Sequence, residues 1–239
     1  MSGFNAKEVP MGNDNNDRPE PMEAGTYGAR LVQILILGVQ PQREFKGEAK
    51  PPKLEIMLTY EFNDEFMKDE DGEDILDKPR WLSETMPFNN LAAELAKSTK
   101  RYYAFDAKGE YDGDWSQLIG APCMVTVVVD EGKGKNAGKK YENVAAVTAM
   151  RPKEAAKAPA LVNPSKLFDF YNPDMEVFNK LPQWLQDKMK SAVDFGGSAL
   201  ELALEGDEVP LPEKPLKKTT ANKKVTEHAE YLKDDEVEW

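Results

Sequence analysis

Two residue types carry the chemistry this 239-residue chain can offer: cations in short clusters, and flat aromatic side chains set among them. Arg43, Lys46, Lys50 and Lys53 surround one turn, Lys100 and Arg101 stand together, and "GKGKNAGKK" holds Lys133, Lys135, Lys139 and Lys140 without an acid. Interleaved with them are Phe45, Tyr60, Trp81, Tyr102, Tyr103 and Tyr141. Cations pair with backbone phosphate, and aromatic faces stack unpaired bases at ~1–3 kcal/mol each without reading sequence. The pattern points to a single-stranded nucleic acid. Each part also has a plainer reading: an aromatic taken singly is more often core than platform, and a lysine loop is usually a solvated turn.

The formal net charge of -12 argues at first against a polyanionic ligand. The charge is segregated, however. "EFNDEFMKDEDGEDILD" carries nine acids against the single Lys68, and the end of the sequence is acidic again. A basic strip can still grip phosphate when the acids sit elsewhere.

Catalytic patterns fail when tested residue by residue. A phosphate loop needs a glycine, four residues, then glycine, lysine and a hydroxyl side chain. Here Gly138 and Lys139 are followed by Lys140, and Lys133 holds the first glycine position. A calcium loop with Gly72 at its sixth position would begin on Met67 and end on Lys78, where carboxylates are required. His228 is the only histidine, so neither a Ser-His triad nor a histidine-based metal site can be assembled. The many carboxylates lie in solvated runs that would not raise one pKa selectively. The expectation is a protein without catalytic activity, cofactor or metal.

The elements that must position the cations and aromatics follow from apolar periodicity. Residues 1–22 are polar and read as a disordered arm. A long strand over about 26–40 comes next, with Gly28 marking a bulge or a close backbone approach. In "PPKLEIMLTYEF", Leu54, Ile56, Leu58 and Tyr60 alternate as a half-buried strand. An acidic loop, a third strand in "PRWLSETMPF" and a helix capped by Asn89 or Asn90 follow, with Leu91 and Leu95 at helical spacing. If the backbone at Tyr102 and Tyr103 is extended, these neighbours face opposite ways. "GAPCMVTVVVDEGKGKNAGKKYENVAAVTAMRP" reads as a hairpin with Cys123 in its first strand. Strand, strand, strand, helix, strand, strand over about 130 residues matches a mainly β, five-stranded OB-fold-like Greek-key barrel; other small barrels and sandwiches fit almost as well.

Beyond this domain, residues 23–152, "RPKEAAKAPALVNP" reads as a linker to a helical extension, the two spanning 153–205. Pro173 and Pro182 start two short helices with a break near Leu181, and Val177, Phe178, Leu181, Trp184, Leu185 and Met189 form an apolar stripe expected to pack on the barrel. Residues 206–239 read as a flexible acidic tail closing on "DDEVEW". A lone cysteine excludes an intramolecular disulfide and fits a reducing cytoplasm. No basic-then-apolar leader and no run of ~18 apolar residues is present, so a cytoplasmic protein without membrane contact is expected.

"EAGTYGARLVQILILG", "LIGAPCMVTVVVDEGKGKNAGKKYENVAAVTAM" and "NPDMEVFNKLPQWLQDKM" together resemble a family of phage-encoded single-stranded DNA-binding proteins that accompany replication and recombination functions. The resemblance covers about residues 23–190 and implies an OB-fold core without catalysis. Separately, "DDEVEW" resembles the acidic tips of bacterial and phage single-stranded DNA-binding proteins, commonly closed by phenylalanine; tryptophan replaces it here. That likeness implies that Asp234, Asp235, Glu236, Glu238 and Trp239 dock a polymerase, primase or helicase, or recombinase. The competing reading is an acidic adaptor or DNA mimic that binds proteins and never touches DNA. A virion or assembly component is a third, weaker one.

Overall fold

The bent strand β1, Gly25–Gln40, organises the structure, a computed structural model that describes residues 20–206. It pairs antiparallel with β2, Lys53–Lys68, and the register slips by one residue between Leu31 and Gln33. A one-residue bulge moves all later side chains to the opposite face. Before it Ala29 and Leu31 enter the main core; after it Ile34 does, while Leu35 and Leu37 turn to the other side. The bulge thus falls four positions after Gly28. At Gly28 itself a side chain would meet Asn63 Nδ2 at 2.9 Å, the close approach that the glycine predicts. Gly38 sits at φ 76° in a second irregularity, where a Cβ would press on Ala192 and Phe170 at 2.9 Å.

β3, Asp74–Pro87, β4, Pro122–Glu131, and β5, Lys140–Ala149, complete a sheet in the order β3-β2-β1-β4-β5. A sixth strand, β6, Lys166–Phe168, runs parallel to β1 at Gln33–Leu35, just past the point where pairing with β4 ends. The fold is therefore mainly β, antiparallel apart from β6. The two sheet edges approach each other: Arg80 of β3 bonds Glu142 of β5 at 2.6 Å. Helix α1, Lys97–Phe105, stands between them. Its Arg101 reaches Glu84 on β3 and the Ala145 carbonyl on β5.

The main core holds Ile56, Leu58, Tyr60 and Phe62 of β2, Val125 and Val127 of β4, and Tyr102, Trp115 and Leu118. A second core lies on the other face of β1 and β2. Short helices follow the strands: α2, Pro152–Ala155; α3, Met175–Asn179; α4, Gln183–Lys190; α5, Ala199–Glu205. Phe178, Leu181, Leu185, Met189 and Leu200 from this extension cover Leu35, Leu37 and Met57. Each fully buried side chain of this kind is worth roughly 1.5–3 kcal/mol. Asp174 caps α3 through the amides of Glu176 and Val177, so Pro173 precedes the helix instead of starting it; Pro182 caps α4, and the break near Leu181 falls as expected. Lys188 of α4 bonds Glu55 of β2 at 2.8 Å.

Four expectations need correction. The helix begins at Lys97 rather than at Asn89 or Asn90; Asn90 instead accepts the Ala92 amide in a local turn, and Leu95 is exposed. The acidic segment is mostly strand, since Met67 pairs with Ile75 and Lys68 with Asp74. The end of the arm read as disordered, residues 20–22, is held in place, since Arg80 donates to the Glu20 carbonyl and Met22 is buried in the main core. The stretch read as a linker is bound to the sheet: Arg30 donates to the carbonyls of Ala158 and Pro159, and Glu61 accepts the amides of Val162 and Asn163. No described helix is long and apolar enough to cross a membrane.

Candidate nucleic-acid interface

The loop between β1 and β2 exposes Arg43, Lys46, Lys50 and Lys53. Phe45 and Glu48 exchange backbone hydrogen bonds of 3.0 and 3.1 Å across a two-residue turn, with Lys46 at φ 55° and Gly47 at φ 82°. Two positive φ values in succession define the hairpin turn that matches strand twist. The turn holds the half-exposed Phe45 ring beside two ammonium groups, Lys50 Nζ at 4.4 Å and Lys46 Nζ at 5.5 Å from its centroid. An aromatic face flanked by cations offers both halves of what an unpaired nucleotide needs.

Between β4 and β5, Lys133, Lys139 and Lys140 are exposed around a 3-10 turn, Gly134–Asn136, in which Lys135 lies. A side chain at Gly132 would collide with the Asn136 carbonyl, so the loop folds back tightly on itself. Half-buried Tyr141 leaves its ring at this same contact, where it supports the loop base. The two basic loops lie at opposite ends of β1. One leaves at Gln40, and the other lies beyond the Gly25–Val127 pair. At ~3.3 Å per residue the separation along the 16-residue β1 is up to roughly 50 Å. They can flank a common path, but they do not form one patch.

Three candidates are interior and unavailable to a bound strand. Tyr60 is fully buried and donates to Glu84 at 2.7 Å. Arg101 is buried too, with Nε and a terminal nitrogen on the two Glu84 oxygens at 2.7 and 3.1 Å. Tyr102 is sealed against Trp115, accepts the Gly113 amide and donates to Asp106. The physical reason differs by element: Tyr60 shares the buried face of β2 with Ile56 and Leu58, whereas Arg101 and Tyr102 lie on the buried side of α1 with their polar groups paired. Burial alone would push the Glu84 carboxyl up, but the hydrogen bonds from Arg101 and Lys97 bring it below its ordinary value. Burial and the Glu84 charge push the Tyr60 hydroxyl well up, and burial raises the Cys123 thiol, an inert core group.

Trp81 and Tyr103 are exposed. Tyr103 shares a cleft with Lys100 between α1 and the end of β5, lined also by Leu91, Val147 and Ala149. Trp81 of β3 lies opposite Glu61 and shares a second cleft with Lys78 and Arg80. Sequence reasoning overlooked Ser83 and Asn163, which line the Trp81 cleft, and Arg30 and Glu61, which hold the segment carrying Asn163; no local pattern joins positions so far apart. Asp234, Asp235, Glu236, Glu238 and Trp239 lie outside the described residues. Comparison with protein-family models, curated proteins and solved structures returned no match.

Proposed function

We propose that the protein is a non-catalytic, sequence-tolerant single-stranded DNA-binding protein of phage replication or recombination. One observation carries this reading: two exposed aromatics each share their surface with lysine, Phe45 with Lys46 and Lys50 and Tyr103 with Lys100. The order β3-β2-β1-β4-β5, with α1 between the edge strands, supports an OB-fold-like barrel left open between β3 and β5. The backbone would follow the exposed cations while bases stack between them. The acidic segment containing Trp239 would recruit replication or recombination enzymes. The decisive variant combines Phe45→Ala with Lys46→Glu and Lys50→Glu. It should weaken binding to an oligonucleotide at unchanged melting temperature, and unchanged affinity would count against the reading.

A specific feature favours a second reading, an acidic adaptor or DNA mimic. The β2–β3 hairpin carries Asp64, Asp69, Glu70, Asp71 and Glu73 in the open. A protein working this way would bind no oligonucleotide, and neutralising those acids would abolish its partner complex.

A further inference from the structure

The cleft beside Trp81 has walls from two remote parts of the chain. Arg30 of β1 and Glu61 of β2 face each other across the strand pair. Together they clamp residues 158–163 over the sheet. Arg30 donates to the Pro159 carbonyl at 2.6 Å and to Ala158 at 3.0 Å. Glu61, only 3% exposed, accepts from the Val162 amide at 2.7 Å and the Asn163 amide at 3.1 Å. It also accepts Asn163 Nδ2 at 2.7 Å. The Asn163 side chain thus turns its NH2 group toward Glu61. Asn163 lines the cleft, and with Nδ2 engaged its remaining side-chain polar atom is Oδ1.

Opposite stand the Trp81 ring, 56% exposed, and the Ser83 hydroxyl, which is bonded to Thr59 Oγ1 at 2.9 Å. The cleft measures about 780 Å³, inside the range of small-molecule sites. Its charges cancel. Lys78 and Arg80 are matched in number by Asp77 and Glu142, and Arg80 is already paired with Glu142 at 2.6 Å. A flat apolar face, one fixed acceptor and no net charge suit a neutral aromatic ring with an N–H edge, and do not suit a phosphate.

We propose that this cleft is a pocket for one unpaired nucleobase, stacked on Trp81 and donating a hydrogen bond to Asn163 Oδ1. The pocket rests on the single-strand reading above and adds a base subsite remote from the lysine loops. Asn163 is the positioning element that Glu61 holds in place. Every base carries an N–H able to reach one acceptor, so the pocket would sort bases weakly.

The test uses the full chain and a single-stranded oligonucleotide carrying 5-iodouracil, which cross-links to a stacked aromatic on irradiation. Peptide mapping should find the adduct on Trp81. Trp81→Ala should weaken binding roughly 5- to 150-fold, the range that stacking one base corresponds to. Trp81→Phe should restore most of the loss. Adducts confined to Phe45 or Tyr103, with Trp81→Ala binding as wild type, would overturn the pocket and leave strand binding standing. Failure of the wild-type protein to retain any oligonucleotide would overturn the underlying reading, and the pocket with it.

Discussion

Arg101 of α1 and Glu84 of β3 form a two-point ion pair inside the protein, at 2.7 and 3.1 Å, with Lys97 adding a third contact at 2.7 Å. Removing one partner of a buried pair strands the other charge, so Arg101→Ala should cost about 3–5 kcal/mol of stability. Replacing both with apolar residues of similar size should cost much less. Urea denaturation of the two single variants and the double variant measures the difference.

The same carboxylate sets an acid limit. Glu84 titrates lower in the folded protein than in the unfolded chain, so the unfolded chain binds its proton first as pH falls. Its contribution is full above the ordinary glutamate pKa and is lost as pH descends through the lowered folded value. Wild-type stability should therefore fall over that acid window more steeply than that of Glu84→Gln. Parallel curves would remove Glu84 from the explanation.

Tyr102 and Tyr103 are consecutive, with rings 5.7 Å apart, yet have opposite fates. Tyr102→Ala empties a core site and should cost about 3–5 kcal/mol. Tyr103→Ala, on the surface, should stay within about 0.5 kcal/mol and act on binding instead. Thermal unfolding and oligonucleotide titration on the same two variants separate the roles.

These neighbours show what was legible in the sequence. A branched apolar run after Gly25 marks β1, period-2 alternation marks β2, and two apolar stretches around a glycine–lysine loop mark β4 and β5. Alternation sets Tyr60 on the face of Ile56 and Leu58, but it cannot show that Arg101 and Tyr102 of α1 turn inward, where they meet Glu84, Asp106 and Trp115. The three-residue β6 has no pattern of its own; it pairs with β1 just after the segment that Arg30 and Glu61 hold. The helix was misplaced because Leu91 and Leu95 have helical spacing in what is a chain of turns. The acidic hairpin escaped notice because charge does not prevent pairing where a ribbon stands in solvent.

The helical extension should be inseparable from the sheet. Deleting residues 152–239 would uncover Leu35, Leu37 and Met57, which Phe178, Leu185 and Met189 now cover. The shortened protein should aggregate or unfold well below the melting temperature of the full chain. A soluble, cooperatively folding fragment would contradict the second core.

The two basic loops should contribute separately to phosphate contact. Reversing Lys133, Lys139 and Lys140 to glutamate should leave melting unchanged and make the salt dependence shallower by ~0.7 log units per lost contact. Adding Lys46→Glu and Lys50→Glu should reduce it further. The reversals should combine additively, because the loops sit at opposite ends of β1.

The central claim is tested most directly by titrating the full-length protein against fluorescent oligo-dT and a duplex of equal length, at low and moderate salt. Binding should be strong for the single strand and much weaker for the duplex. It should decline with salt, less steeply than phosphate contact alone would require, because stacking carries part of the energy. Equal affinity for both forms, or none for either, would contradict it.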